Sequence, residues 1–394
     1  MLVRIIISLR EERILIYMDN AATSFPKPPE VYEEVLNCMK NYASNPGRSS
    51  HNMAIAADLK VMETREQIGE LFNIKYPLNI VFTKNATEAL NIAIKGLIDK
   101  GDHVISTVIE HNSVLRPLHA LNMNGSDVTL VRVDKNGILD VESLKKEIKK
   151  NTKAIVINHA SNVLGSVQDI RTIGKIAKEK GIVFIVDASQ SAGSIPIDIV
   201  KDNIDILAFP GHKGLLGPQG TGILYIGNDI ELNEYTQGGT GSKSESMSQP
   251  EFLPDKFESG TLNTPGIAGL CEGIKFIKKI GIDNIIKQKK ILMEYLIKEL
   301  TKLSYVNIYG GTSYESRCAV ASINIEGIDS SDMGYLLNER GIAVRTGYHC
   351  APLIHGIIGT QHIGTVRISP GYFNTLEDME YLIKSIISIK NKQG

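Results

Sequence analysis

Nowhere in the 394 residues do two cysteines stand in a C-x-x-C pair. Cys38, Cys271, Cys318 and Cys350 are scattered, which indicates neither a disulfide framework nor a zinc site and fits a reducing cytoplasm. An excess of one charge is also lacking: 43 Lys plus Arg stand against 44 Asp plus Glu. No long-range field therefore draws the chain to nucleic acid or to an anionic membrane. No apolar run approaches the ~20 residues of a membrane-spanning helix. The stretch Met1–Leu9 is short, carries Arg4 and runs into Arg10-Glu11-Glu12-Arg13 without a small-residue cleavage site, so it is not read as an export signal. Internal repeats, heptads and low-complexity tracts are missing as well. What is there is ordinary enzyme composition, 42% hydrophobic and 22% charged, with apolar material for a large core in two lobes. The expected partners are small molecules or specific proteins.

Between about residues 80 and 230, short β-branched runs alternate with helical patterns, the signature of an α/β protein with a doubly wound, mostly parallel sheet. The expected strands are Asn79–Thr83, His103–Thr107, Val128–Val133, Ala154–His159, Val183–Asp187, Ile204–Phe209 and Gly222–Ile226. Helical patterns fill Thr87–Ile98, Asn112–Leu121, Val141–Ile148 and Ile170–Lys180, the third with Asp140 as N-cap. Thr236–Asp255 is rich in Gly, Ser, Gln and Pro and reads as a long loop. Beyond Thr264-Pro265-Gly266, helices over Ile267–Lys279 and Asp283–Leu303 precede mixed strand and helix, a smaller α+β lobe.

Chemistry concentrates in Val183-Phe-Ile-Val-Asp187-Ala-Ser-Gln190 and Ala208-Phe-Pro-Gly-His212-Lys213-Gly-Leu-Leu-Gly217. An acid ends one buried strand, and a lysine sits in a glycine-rich turn after the next. Ligands of open α/β sheets bind at the carboxyl ends of the strands, so both residues are expected to face one crevice. A carboxylate there holds a pyridinium N–H, and a lysine there takes a carbonyl cofactor covalently.

With these motifs the sequence resembles the class V aminotransferase-like enzymes that use pyridoxal phosphate, and within them the cysteine desulfurases and selenocysteine lyases. The resemblance runs from Asp19-Asn-Ala-Ala-Thr-Ser-Phe-Pro-Lys27 to Val366-Arg367-Ile-Ser-Pro-Gly-Tyr-Phe-Asn374. It implies fold type I of the pyridoxal-phosphate enzymes, with residues 1–18 as an N-terminal arm, 19–280 as the cofactor domain and 281–394 as the small domain. It implies that Lys213 holds the cofactor, Asp187 meets the pyridine nitrogen, Gln190 and Asn162 meet the phenolic oxygen, and His111 stacks on the ring and shuttles protons. Ala86, Thr87 and His212 then belong to the phosphate site, where a helix start supplies backbone N–H groups. Thr261, beside Gly260, is implied to reach the phosphate of a neighbouring subunit, hence a homodimer. Pro210 departs from the pattern, standing where many relatives carry a hydroxyl residue.

On the substrate side, Arg367 resembles the arginine that grips an amino-acid carboxylate, a bidentate task lysine does poorly. Asn162 and Arg345 are expected beside it. Val344-Arg345-Thr-Gly-Tyr-His-Cys350-Ala-Pro resembles the family's active-site loop, which makes Cys350 the implied nucleophile toward cysteine sulfur. Arg345 and His349 are expected to favour its thiolate. Lys213, Cys350 and His111 are thus the expected catalytic set, with no metal. The implied enzyme is a cytoplasmic sulfurtransferase converting L-cysteine to L-alanine by way of a Cys350 persulfide, handed to an acceptor protein such as one of iron–sulfur cluster assembly. Selenocysteine lyase, aminotransferase, C–S lyase and epimerase remain the alternatives on this scaffold.

Overall fold

The computed structural model describes residues 15–393. In chain order, β1 (Ile16–Tyr17), α1 (Pro29–Asn41) and α2 (Asn52–Phe72) lead into an α/β run. That run comprises β2 (Ile80–Thr83), α3 (Ala86–Leu97), β3 (His103–Thr107), α4 (Asn112–Met123), β4 (Asp127–Val131), α5 (Val141–Lys146), β5 (Thr152–Asn158), α6 (Ile170–Lys180), β6 (Val183–Asp187), β7 (Ile206–Pro210) and β8 (Gly222–Ile226). The seven strands β2 to β8 form one sheet in the order β2-β8-β7-β6-β5-β3-β4.

Alternation along each strand divides the core. Ile105, Ile155, Ile157, Phe184 and Val186 face one side with Ile68 and Phe72 of α2 and Ile173 of α6. Val104, Ala154, Val156 and Ile185 face the other with Leu90 and Ile94 of α3 and Leu118 of α4. Side chains alternate faces along a strand, so these near-continuous apolar runs require helices on both sides.

Every expected strand of this run is present, within a few residues of its expected ends. The expectation of parallel crossovers is met except at β8, which runs antiparallel to both β7 and β2. The cause lies in the connection: residues 211–221 form a glycine-rich turn without a helix, too short for the crossover of about a dozen residues that a parallel return needs. That turn carries Lys213. In the ladder Asn158 pairs with Asp187 and Asp187 with Ala208, so three strand ends meet at one height below it.

No helix or strand covers residues 227–263, the stretch that contains the expected loop. Then come α7 (Thr264–Ile280) and α8 (Ile282–Thr301), broken at Gly281 with φ 85°. The small lobe follows with β9 (Val306–Tyr309), β10 (Ala321–Ile325), α9 (Ser330–Asn338), β11 (Ile342–Ala343), β12 (Arg345–Gly347), α10 (Pro352–Ile357), β13 (Thr365–Ile368) and α11 (Leu376–Gln393). Its sheet is antiparallel, in the order β12-β13-β10-β9.

The start of α8 still belongs to the large core through Ile285, while Leu292 and Leu296 pack in the small one. Of the expected N-terminal arm, residues 1–14 lie outside the described residues. Ile16 and Tyr17 pair in parallel with Ile342 and Ala343, and Met18 is fully buried in the small lobe's core. The chain thus begins its described course in the small lobe before crossing to the large one. Among the described residues no helix is long and apolar enough to cross a membrane.

Candidate active site

One cavity at the carboxyl ends of the parallel strands gathers the residues expected around the cofactor, Thr261 excepted. Ala86 and Thr87 enter it from the start of α3, and His111 from the start of α4. Asn162, Asp187 and Gln190 line it from the ends of β5 and β6, with Pro210, His212 and Lys213 from the turn after β7. Two glycines allow the close fit: a Cβ on Gly211 would come within 2.4 Å of Thr221 Oγ1, and one on Gly222 within 2.4 Å of the Asn85 backbone.

Burial sets the charge states here. Lys213 is pushed down to about 8 chiefly by desolvation, against the pull of Asp187. Asp187 is buried, and its Oδ1 accepts the Ser189 N–H at 2.9 Å. His212 falls to about 4 through burial and the nearby charges of Lys213 and Lys27, and its Nδ1 lies 3.0 Å from Thr23 Oγ1. His111 also falls to about 4, because burial and the cations Lys213, Arg345 and Arg367 outweigh Asp187. Both imidazoles are therefore neutral near pH 7.

The cysteine-bearing loop of the small lobe packs against Asn162, which lines the cavity. Arg345 stands opposite Arg367 across β12 and β13. Like charges so placed repel unless anions sit beside them. Asp19 Oδ1 accepts from Arg367 Nη2 at 2.7 Å, and Cys350 Sγ lies 3.3 Å from Arg345 Nη2. His349 and Cys350 both have left-handed backbone, φ 51° and 60°. Such a conformation costs about 1–2 kcal/mol per residue. Two contacts across the lobes hold it: Asn162 Nδ2 donates to His349 O at 2.6 Å, and Asn112 N–H to Cys350 O at 2.7 Å.

One expectation needs adjustment, that for His349. His349 does not charge the thiol's surroundings: it is buried against Thr365 Oγ1 at 2.9 Å, and burial pushes it down to about 2, so it stays neutral. Gln190 lines the cavity, yet its Nε2 donates to Ala21 O at 3.0 Å. Thr261 is exposed and lines a separate cleft of its own chain with Lys84 and Glu258.

Sequence reasoning missed Asp19 as the partner of Arg367, Ser113 beside His111, and Glu110. The Glu110 carboxyl is wholly buried, accepts from Thr107 Oγ1 at 2.6 Å and from Asn158 N–H at 3.1 Å, and is pushed up to about 8 by burial. The run Glu110-His111-Asn-Ser113 directly after a strand was the available signal for two of them.

A doubly wound sheet with a lysine turn above an aspartate-ended strand and a smaller antiparallel lobe is the architecture of fold type I pyridoxal-phosphate enzymes. The model of the family Aminotransferase class-V matches residues 16–382. A curated relative from Methanothermobacter thermautotrophicus, a probable cysteine desulfurase, is 37% identical over 381 residues, covering 95% of this chain and 94% of its own. A cysteine desulfurase from Haloferax volcanii is 32% identical over 382 residues, covering 94% and 88%. Among solved structures, the apo cysteine desulfurase of Thermococcus onnurineus matches with a TM-score of 0.90 at 34% identity, covering 95% of this chain and 94% of that one. The chain belongs to the class-V aminotransferase family, among its cysteine desulfurases.

Proposed function

We propose that this protein is a pyridoxal-phosphate-dependent cysteine desulfurase that moves sulfur from L-cysteine to Cys350 and releases L-alanine. The observation that carries the reading is the placement of Cys350 Sγ 3.3 Å from a guanidinium, on a loop whose backbone is clamped to the wall of the cavity that holds Lys213.

The residues present fit the cofactor. Asp187 offers a buried carboxylate, Lys213 an amine that burial has made easier to deprotonate, and α3 an N-terminus at the cavity. Asn162 Oδ1 and Arg367 Nε are buried without partners, as groups waiting for a ligand are. Lys213 would hold pyridoxal phosphate, Asp187 its ring nitrogen, Asn162 and Gln190 its phenolic oxygen, and Ala86, Thr87 and His212 its phosphate, with Thr261 contributed by a second copy. Bound there, the cofactor supplies an electron sink conjugated to the substrate's Cα.

Arg367 orients the substrate by its carboxylate through its unpartnered Nε, while Nη2 is held by Asp19 and Nη1 donates to Asn162 O at 3.2 Å. Lys213 Nζ, freed as a neutral amine, takes the Cα proton. Arg345 stabilises the Cys350 thiolate by a charge-assisted contact. Cys350 Sγ then attacks the substrate sulfur. The Sγ–S bond forms as the Cβ–S bond breaks, and its electron pair stays with the carbon skeleton, which takes a proton to become alanine. Cys350 is left as a persulfide, to be discharged by a thiol of an acceptor protein. The partly exposed position of Cys350 suits that hand-over.

The test is an assay of the purified holoenzyme with L-cysteine that follows alanine and sulfide together. Alanine is expected with or without reductant, in catalytic amounts only when a reducing thiol discharges Cys350. Pyruvate in place of alanine would overturn the reading in favour of a C–S lyase.

A further inference from the structure

The start of α4 holds an arrangement that the reaction scheme leaves unused. His111 is the N-cap of that helix, and the Ser113 backbone N–H donates to its Nδ1 at 3.1 Å. The Ser113 hydroxyl lies 2.8 Å from the same Nδ1 and also 2.8 Å from Thr87 Oγ1. Thr87 is the second residue of α3 and Ser113 the second of α4, so the two helix starts stand side by side at the cavity.

A neutral imidazole nitrogen in the ring plane carries either a proton or a lone pair. A hydroxyl can turn to serve either, but a peptide N–H cannot: it only donates. Nδ1 facing the Ser113 N–H must therefore be the acceptor, which leaves the ring proton on Nε2. The Ser113 hydroxyl then adds a second donor to Nδ1 and takes its own hydrogen bond from Thr87. The direction runs Thr87 to Ser113 to His111.

We propose that Ser113 is a positioning residue that fixes His111 as its Nε2–H tautomer and ties that ring to Thr87. His111 then meets the cavity as a hydrogen-bond donor through Nε2–H, and a second ring proton could enter only at Nδ1, at the cost of the bonds accepted there. The surroundings favour the uncharged ring, since burial and the cations Lys213, Arg345 and Arg367 all oppose a second proton. Ser113 also takes up the one hydroxyl proton of Thr87, so an anion at the start of α3 is met by backbone N–H groups and not by that hydroxyl.

Two measurements test this, and only the second rests on the reading of the cavity as a cofactor site. In the apo chain labelled with 15N-histidine, two-bond nitrogen–proton correlation at neutral pH should show the His111 ring as Nε2–H, with the signal assigned by its loss in His111→Gln. An Nδ1–H pattern, or a doubly protonated ring, overturns the tautomer. Ser113→Ala keeps the backbone N–H but loses the link to Thr87. It should keep the tautomer while tightening pyridoxal-phosphate binding about 2–10-fold, the worth of one hydrogen bond, because the freed Thr87 hydroxyl proton can turn to the phosphate. Ser113→Thr should return the affinity to that of wild type. Equal affinity in wild type and Ser113→Ala overturns the link to Thr87.

Discussion

Arg367 Nη2 lies 2.7 Å from Asp19 Oδ1, a carboxylate 348 positions earlier in the chain. Arg367 is almost fully buried, and Asp19 is its one ionic partner among the described residues. A buried guanidinium with one edge pinned is pre-oriented toward whatever meets its other donors. Asp19→Asn keeps the size but loses the charge-assisted bond, worth about 1.5–3 kcal/mol. The expected result is a rise in KM for L-cysteine of about 10-fold or more with a smaller change in kcat. An unchanged KM would mean that Arg367 needs no orientation from Asp19.

Glu110 makes stability depend on pH. Its carboxyl is raised from 4.5 to about 8 by burial, so the folded chain keeps a proton that the unfolded chain gives up. The group's contribution is fully present below about pH 4.5 and is lost as pH rises through about 8. Glu110→Gln, which cannot ionise, should lose that slope and gain on wild type across the same window. Urea midpoints measured against pH check it, and parallel curves would show that Glu110 is ionised in the folded chain.

For Lys213, the depression to about 8 bears on reactivity. At pH 7 about a tenth of the amine is neutral, against less than one part in a thousand for an ordinary lysine. The rate of cofactor capture by the apo chain should therefore rise with pH and level off near 8 to 9, and borohydride should fix the cofactor to Lys213. A rate still climbing through pH 10 would place the amine in solvent.

The parts of this site that were legible in the sequence are those set by local spacing. His103–Thr107, Val183–Asp187 and Gly222–Ile226 occur with the bounds read from their β-branched runs, and the lysine turn was marked by its glycines. Contacts between distant segments were not legible, because periodicity reports which face a residue takes and not what it meets. The Asp19–Arg367 pair, the antiparallel β8 and the passage of Ile16–Met18 through the small lobe are of that kind. His349 misled for another reason: adjacency to the thiol in sequence does not show that its ring is taken up by Thr365 Oγ1.

Thr261 lines a cleft other than its own chain's cavity, so a role at the phosphate requires a second copy. Mixing a Lys213→Ala subunit with a Thr261→Ala subunit should regain part of the activity that each lacks alone, since one of the two shared sites then carries neither lesion. No regain, together with a fully active monomer, would remove Thr261 from the site.

The central claim is that Cys350 takes the sulfur. Cys350→Ser leaves Lys213 and the Asp19–Arg367 pair intact, so it should still bind cofactor and L-cysteine. The most direct measurement is intact mass with peptide mapping after a brief exposure to L-cysteine without reductant. Wild type should gain one sulfur atom per subunit at Cys350, and Cys350→Ser none. Sulfur on a different cysteine, or full alanine production by Cys350→Ser, would contradict the account.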